Sequence, residues 1–275
     1  MLETMEKLDL SKFGLSSAQP FDPAAHNQVR ADTFNRTPGT ETGYDCPKCL
    51  NRGINAYVKE DGNLAFGDCA CMNVRRFLRK MEKSGLKNTI EEMTFDKFRT
   101  EEPWQEQIKT QAMDYAEHMD GWLLFCGQPG SGKSHLCTAV CRHRLLQGTQ
   151  VRYMAWRDDI SRLKALSLDS EERGRLLCDL KTAPILYIDD LFKTGRATDG
   201  SDNPTGADVN LAFEVINYRY NNHLPTILST EKTPQELLAI DEATASRIIQ
   251  RAMGHTIQIC RNPQRNYRLR GVVTV

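Results

Sequence analysis

The amino-acid sequence predicts an α/β fold in which a parallel sheet is covered by helices and follows a small cysteine-containing domain. Two observations lead to this prediction. From residue 121 onward, short apolar segments alternate with helical patterns, which is typical of a parallel sheet with both faces covered. Nearer the N-terminus, two close pairs of cysteines flank a segment with the pattern of a β-hairpin.

Composition excludes several classes of protein. The 275 residues are 40% hydrophobic and 26% charged, which is ordinary for a globular chain and excludes general disorder. No apolar run approaches the roughly 18 residues that cross a bilayer, and the start "MLETMEKLDL" lacks a secretory signal pattern. We therefore expect a cytoplasmic protein without membrane contact. The net charge of zero implies that any contact with DNA is local.

The chain divides into three predicted segments. Residues 1–43 contain turn formers such as "SSAQPFDPAAHNQ" and are predicted to form a short helix and a linker. Residues 44–90 hold the cysteine pairs and a basic helix, and residues 91–275 hold the sheet domain. Within the last segment, residues 194–208 are predicted to form an exposed loop.

The first cysteine pair is "CPKC" and the second is "CAC", nineteen residues later. Between them, "INAYVKE" and "LAFGD" read as two strands joined by a tight turn at Asp61 and Gly62. A hairpin brings the pairs together, and four thiolates form a closed tetrahedral site of the kind that holds structural Zn²⁺. A redox CxxC pair and an iron–sulfur cluster are the alternatives. The predicted ligands are Cys46, Cys49, Cys69 and Cys71.

A basic helix follows the second pair. Its cations could contact DNA or form a solvated helix face. They are Arg75, Arg76, Arg79 and Lys80.

The strands and helices of the sheet domain follow in a regular order. The helix "WQEQIKTQAMDYAEHM" precedes the strand "WLLFCG" and a helix from Gly132. The remaining strands are "QVRYMAW", "PILYIDD", "PTILST" and "HTIQIC", and the helices between them cover residues 157–182, a segment from Ala207, and residues 233–253.

The segment "GQPGSGKSH" is a complete Walker A motif between an apolar strand and a helix. Glycines allow backbone amides to surround phosphates, Lys133 reaches the outer phosphates, and the Ser134 hydroxyl binds Mg²⁺. The motif therefore predicts a site for ATP and Mg²⁺. The predicted nucleotide-binding residues are Gly127, Gln128, Pro129, Gly130, Ser131, Gly132, Lys133, Ser134 and His135.

Two acids end the strand "ILYIDD". We expect Asp189 to hold Mg²⁺ and Asp190 to orient the attacking water, although Asp190 could instead cap the following turn. The neighbouring strand "PTILST" ends in polar groups, of which we predict that Thr230 faces the terminal phosphate.

The segment "ATASRIIQRAMGH" places Arg247 and Arg251 on one helix face. An arginine at a subunit boundary would stabilise the transition state in a neighbouring copy, so that ATP is hydrolysed between protomers. A solvated pair on an amphipathic helix is the alternative.

The segments "GQPGSGKSHL", "ILYIDDLFK", "FEVINYRYNNHLPTILSTEKTPQEL" and "ATASRIIQR" resemble, in this order, the AAA+ ATPases of the DnaC and DnaI helicase-loader group, which includes the IstB transposition ATPases. The resemblance covers roughly residues 90–261 and implies an AAA+ strand order and Arg247 as the arginine finger. Members often carry Asn at the position of Glu231, and Arg268 is the candidate for a second sensor arginine.

The resemblance implies an ATP-dependent loader that assembles as a homo-oligomer on single-stranded DNA and delivers a hexameric replicative helicase in replication initiation. An IstB-like transposition helper and a nucleotide-switched adaptor with negligible hydrolysis are the alternatives. Basic residues in the long insertion between the strand "QVRYMAW" and the strand "PILYIDD" are candidates for DNA contact. They are Arg157, Arg162, Lys164, Arg173 and Arg175.

Overall fold

A computed structural model describes residues 21–82, 92–166, 169–194 and 203–269. The chain divides into two compact units, residues 1–69 and residues 70–275. Most of the predicted loop at residues 194–208 lies outside the described residues, as does the first part of the N-terminal segment. Within the described part of the chain, no helix is long and apolar enough to cross a membrane.

The first unit contains the predicted hairpin. Strands β1 (Ile54–Val58) and β2 (Leu64–Asp68) pair antiparallel, with Ala56 opposite Phe66. The turn lies where the sequence predicts it: Gly62 has φ +79°, a conformation that favours glycine, and the Asp61 carboxylate accepts a hydrogen bond from Asn63 N at 3.0 Å.

A helix that the sequence analysis missed packs against this hairpin. Helix α1 (Pro23–Arg36) occupies part of the segment that was predicted as a linker. Asp22 caps its N-terminus, and Pro23 occupies the first turn, where its missing N–H costs nothing. The Asn35 side chain bonds both the N–H and the C=O of Ala56, at 2.9 and 2.8 Å. These bonds fix the helix on the hairpin.

The second unit is a five-stranded parallel sheet with helices on both faces. The strand order is β4-β5-β6-β3-β7, so β3 lies between β6 and β7. The strands are β3 (Leu123–Gly127), β4 (Val151–Ala155), β5 (Ile185–Asp189), β6 (Thr226–Ser229) and β7 (Thr256–Ile259). The helices are α2 (Cys71–Met81), α3 (Pro103–His118), α4 (Lys133–Leu146), α5 (Trp156–Ala165), α6 (Ser170–Thr182), α7 (Gly206–Asn221), α8 (Pro234–Ile240) and α9 (Glu242–Arg251).

This order confirms the predicted α/β class and the strand order that the resemblance implies. Strands β3 and β5 are buried at every position, which is why they appear in the sequence as continuous apolar runs. Thr233 caps α8 and Pro234 begins it, a start signal that the sequence shows directly. The carboxyl ends of β3, β5 and β6 therefore meet at one edge of the sheet.

The boundary between the units differs from the one predicted at residue 90. Helix α2 belongs to the second unit, where it packs on α4 and β4. The reason is its apolar face, because Val74, Phe77, Leu78 and Met81 are all buried. Phe77 makes an edge contact with Tyr153 of β4, with ring centroids 6.0 Å apart.

A fully buried arginine connects strands β5 and β6 at their amino ends. The Arg219 guanidinium of α7 donates to the carbonyl oxygens of Leu180, Lys181 and Ala183 before β5. It also donates to Pro225 O at 2.6 Å and to Thr226 Oγ1 at 2.9 Å before and within β6. Burial lowers the pKa of Arg219 to about 10. This side chain fixes both loops that lead into β5 and β6.

We expect Arg219→Leu to lower the free energy of unfolding by about 2–4 kcal/mol, because four buried carbonyl groups lose their donor. Denaturant unfolding followed by circular dichroism measures this change. The control is Arg175→Leu, which removes an exposed arginine paired with Glu171 at 3.5 Å and should cost less than about 1 kcal/mol. Equal, small losses in both variants would contradict the assigned role.

Candidate functional site

The Walker A segment forms a glycine-rich loop between β3 and α4. Gly127, Gly130 and Gly132 have φ values of +96°, +69° and +91°, which L side chains rarely adopt. A Cβ on Gly132 would lie 2.6 Å from a ring carbon of Phe98. The Ser131 hydroxyl closes the loop by donating to Gln128 O at 2.8 Å. Glycine is required at these positions for the backbone to turn and for its neighbours to approach.

Lys133 is 5% exposed and begins α4. Its ammonium donates to the carbonyl oxygens of Gly127 at 3.0 Å and Gln128 at 2.6 Å. Burial lowers its pKa, which the carboxylates of Glu231 and Asp190 counteract. The lysine thus lies inside the loop that it is predicted to serve, with the positive end of the helix beside it.

Asp189 is the last residue of β5, and its buried carboxylate accepts hydrogen bonds from four hydroxyl groups. Ser134 and Tyr187 donate to its Oδ1 at 2.9 and 2.7 Å. Ser229 of β6 also donates to Oδ1, at 2.5 Å, and Tyr153 of β4 donates to Oδ2 at 3.2 Å. The sequence predicts Asp189 and Ser134 at this site, but not Tyr187, Ser229 and Tyr153. The alternation of side chains along each strand decides which hydroxyl faces the carboxylate. No sequence motif indicates which side chains these are.

The Ser134 and Asp189 pair fits a magnesium site. Both supply hard oxygen ligands, which Mg²⁺ prefers, and their oxygens are already in contact. Burial and the neighbouring Asp190 raise the pKa of Asp189. A carboxylate that is costly to ionise when alone would be stabilised by a divalent cation.

Asp190 lies next to this pair in a left-handed conformation, with φ +58°. Its N–H donates to Ser229 Oγ at 3.0 Å, and its Oδ2 accepts from the Lys193 ammonium at 2.9 Å. Lys193 also donates to Glu231 at 3.0 Å. Burial by itself lowers the pKa of Lys193, but the two carboxylates raise it above the ordinary value. Lys193 was missed because a single lysine after an acidic pair carries no sequence signal.

The structure does not bring Thr230 to the site. Its hydroxyl donates to Leu191 O at 2.8 Å and accepts from Lys232 N, and the residue is fully buried. The reason is strand alternation, by which consecutive side chains point to opposite sides. Ser229 therefore contacts Asp189, and Glu231 lines the cavity beside Lys133 and Lys193.

A cavity of about 900 Å³ opens at this edge of the sheet. Besides the residues above, three segments line it: residues 155–158 where β4 meets α5, the segment 92–99 and the segment 262–269. The segment 92–99 contributes Met93 and Phe98, and Thr94 O is hydrogen-bonded to His135 Nε2 at 2.7 Å. Burial lowers the pKa of His135. His135 therefore holds this wall, in addition to its predicted place in the Walker A motif.

The segment 262–269 forms another wall, and the sequence had suggested only Arg268 from it as a site residue. Tyr267 N donates to Gly130 O at 2.8 Å, and Asn262 N donates to Gln128 Oε1 at 2.7 Å. The Tyr267 hydroxyl donates to Arg99 O at 2.9 Å, so the two walls touch. Arg268, the candidate second sensor arginine, lines the cavity.

Arg247 lies on α9, half-buried and away from the residues that line this cavity. Its guanidinium lies over the rings of Phe213 and Tyr220, 5.2 and 5.6 Å from their centroids. One Nη donates to Ala243 O at 2.6 Å. Its buried Nε has no hydrogen-bond partner among the residues that the structure describes.

The basic residues considered for DNA contact are mostly occupied. Arg162 pairs with Glu172 at 2.6 Å, Lys164 pairs with Asp208, and Arg175 pairs with Glu171. In the basic helix, Arg75 is 1% exposed. Arg157 lines the nucleotide cavity instead.

Four cysteines form a cluster that suits a metal ion. The Sγ atoms of Cys46, Cys49, Cys69 and Cys71 all lie within 4.8 Å of one another, and the cysteines are buried. The Cys46 and Cys69 sulfurs are 3.9 Å apart, close to the ~3.8 Å edge of a tetrahedron with Zn–S bonds of about 2.3 Å.

The surroundings of the sulfurs also suit a metal. Gly53 N donates to Cys49 Sγ at 3.3 Å, which would stabilise a thiolate. Burial raises the pKa of the Cys46 thiol, and a bound cation would favour its deprotonation. The donor set therefore fits Zn²⁺ with all four positions filled by protein, which is typical of a structural site.

Comparison with known proteins adds the family. A family model described as IstB-like ATP binding protein matches residues 63–273. The phage-like element PBSX protein XkdC of Bacillus subtilis (strain 168) is 32% identical over 240 residues, which cover 83% of this chain and 88% of the relative. The replicative helicase loader DnaC of Escherichia coli (strain K12) is 26% identical over 187 residues, which cover 66% of this chain and 73% of the relative.

Among solved structures, a crystal structure of the DnaC helicase loader is 23% identical with a TM-score of 0.49, covering 64% of this chain and 99% of that one. The family match spans the Walker A loop, Asp189 and Asp190 at the end of β5, and Arg247.

We expect the purified protein to carry about one zinc ion per chain and Cys46→Ser to lose it, because three thiolates leave the site open. Metal analysis measures this content. The variant should keep its affinity for ATP, since the nucleotide cavity is lined by other residues. The control is Cys178→Ser, which changes an exposed free cysteine. Zinc retained in Cys46→Ser would contradict the assignment.

Proposed function

Because the chain belongs to the family of IstB-like ATP binding proteins, we propose that it is an ATPase that loads a replicative DNA helicase during replication initiation. The observation that carries the enzymatic part is the contact between Ser134 and Asp189, which joins the phosphate loop to the acidic strand. The helicase as client is supported by the similarity to the DnaC loader.

The residues around the cavity have different roles in hydrolysis. The amides of the Walker A loop and Lys133 hold the phosphates. Ser134 and Asp189 hold Mg²⁺, which neutralises charge on the phosphates when it is bound. Asp190, beside this pair, orients the attacking water. Met93 and Phe98 supply apolar surface where the base of ATP can lie.

Arg247 serves a neighbouring copy in this proposal. It does not line the cavity of its own chain, and its guanidinium lies on two aromatic rings rather than on a carboxylate. Cation–π contact of this kind, worth about 0.5–2 kcal/mol, orients an arginine without neutralising it. The guanidinium is therefore prepared to meet a phosphate across a subunit boundary, and the functional form is a homo-oligomer.

Two partners follow from the same proposal. Single-stranded DNA binds the oligomer, with contacts outside the ion-paired residues of α5 and α6. The first unit, which carries three of the four cysteines, provides the surface for the helicase, because a unit this small needs the metal to fold.

A transposase loaded onto duplex DNA is the second candidate client, because the matching family is described by its IstB-like members. It predicts preference for duplex over single-stranded DNA. A nucleotide-switched adaptor predicts binding of ATP without turnover.

A loading assay tests the function. We expect the protein to bind a hexameric replicative helicase and to place it on single-stranded DNA covered with binding protein, measured with and without ATP as the helicase that stays on the DNA after washing. Asp190→Asn should bind ATP and the helicase but release neither, whereas Lys133→Ala should fail to bind ATP. Circular dichroism checks the folding of both variants. Loading without ATP, or wild-type ATP turnover equal to that of Asp190→Asn, would contradict the proposal.

The shared site has a complementation test. Asp190→Asn and Arg247→Ala should each lack ATP turnover as pure proteins, since each removes one half of every site. In an equimolar mixture, some interfaces combine an intact Asp190 with an intact Arg247, and turnover should return to a fraction of the wild-type rate. The control mixture combines Lys133→Ala with Asp190→Asn. Both substitutions affect the nucleotide-binding half of the site, so no interface is intact and the mixture should stay inactive. Activity in Arg247→Ala alone would disprove the shared site.

A further inference from the structure

A second lysine lines the nucleotide cavity, and its ammonium lies between two carboxylates from different strands. Lys193 donates to Asp190 after β5 and to Glu231 after β6, at 2.9 and 3.0 Å. All three side chains line the cavity together with Lys133 and Asp189. The pair of bonds therefore places a positive charge at the edge of the sheet where the phosphates are expected.

The arrangement differs from that of an ordinary surface ion pair. The side chains of Lys193, Asp190 and Glu231 are 39%, 35% and 30% exposed, and they face a concave site instead of open solvent. An ammonium has three donors, so two carboxylates leave one donor for a further acceptor. The flexible lysine stem also allows the charge to move by several ångströms.

The negative charges that line the cavity indicate a role for Lys193. Asp189, Asp190 and Glu231 bring three carboxylates to the wall where a triphosphate must bind. Lys133 is held by the backbone carbonyls of the loop, so it does not neutralise Glu231 by contact. Without Lys193, Asp190 and Glu231 would repel the terminal phosphate.

We propose that Lys193 contacts the terminal phosphate of ATP and so distinguishes ATP from ADP, with Glu231 as the positioning residue that holds it. When the terminal phosphate is present, the ammonium donates to it and releases Asp190 for the water. When ADP is bound, Lys193 remains hydrogen-bonded to both Asp190 and Glu231. This inference rests on the proposed ATPase function and adds a residue to its site.

The test compares affinities for two nucleotides in the full chain. Titration calorimetry with Mg²⁺ measures the binding of ADP and of the non-hydrolysable β,γ-imido analogue of ATP. In Lys193→Met, affinity for the analogue should fall by about tenfold or more, as for a lost charge-assisted hydrogen bond, and affinity for ADP should change by less than about twofold. Lys193→Arg should retain part of the preference, because the charge remains.

Lys97→Met is the matched control. Lys97 lines the same cavity but pairs with Glu92 at 2.6 Å, away from the acidic strand ends. Its loss should leave the ratio of the two affinities unchanged. An equal loss for both nucleotides in Lys193→Met would show a merely structural role and overturn the inference, as would unchanged affinities. A wild-type protein that binds neither nucleotide would overturn the proposed function as well.

Discussion

The site depends on one hydrogen bond, from the Ser134 hydroxyl to the Asp189 carboxylate at 2.9 Å. It joins residues 55 positions apart in the chain, and it can form only because β3 and β5 are parallel strands with their carboxyl ends at one edge of the sheet. Between them lies β6, whose Ser229 also reaches Asp189. The order of the strands is therefore what brings together, from separate segments, the residues of the proposed metal and phosphate site.

Keeping this carboxylate buried carries a cost in stability. Burial and the neighbouring Asp190 raise the pKa of Asp189, and four hydroxyl donors only partly offset the loss of water. The same burial lowers the pKa of Lys133. The carboxylates and the lysine of this site have lost favourable contact with water. Binding of a divalent cation and a polyanion would therefore stabilise them. Nucleotide binding and folding stability are thus coupled in the second unit.

The sequence allowed prediction of the features that have fixed spacing. The Walker A loop, the acids after β5 and the four-cysteine cluster follow local patterns, and the alternation of apolar strands with helices gave the fold class. Thr230 was predicted wrongly in place of Ser229 because the phase of a short strand decides which side chain faces the site. Helix α1 was missed because its capping signal at Asp22 lies among breakers. The walls at 92–99 and 262–269 could not be predicted, since each depends on contacts with distant residues.

The most direct test of this account measures metal binding at the Ser134 and Asp189 pair, with Mn²⁺ in place of Mg²⁺ and electron paramagnetic resonance as the readout. The account predicts that the wild-type chain binds one Mn²⁺ tightly only when ATP is present, and that Ser134→Ala and Asp189→Asn each weaken this binding by about tenfold or more. Circular dichroism would confirm that both variants are folded. Mn²⁺ binding that is unchanged in both variants would contradict the account.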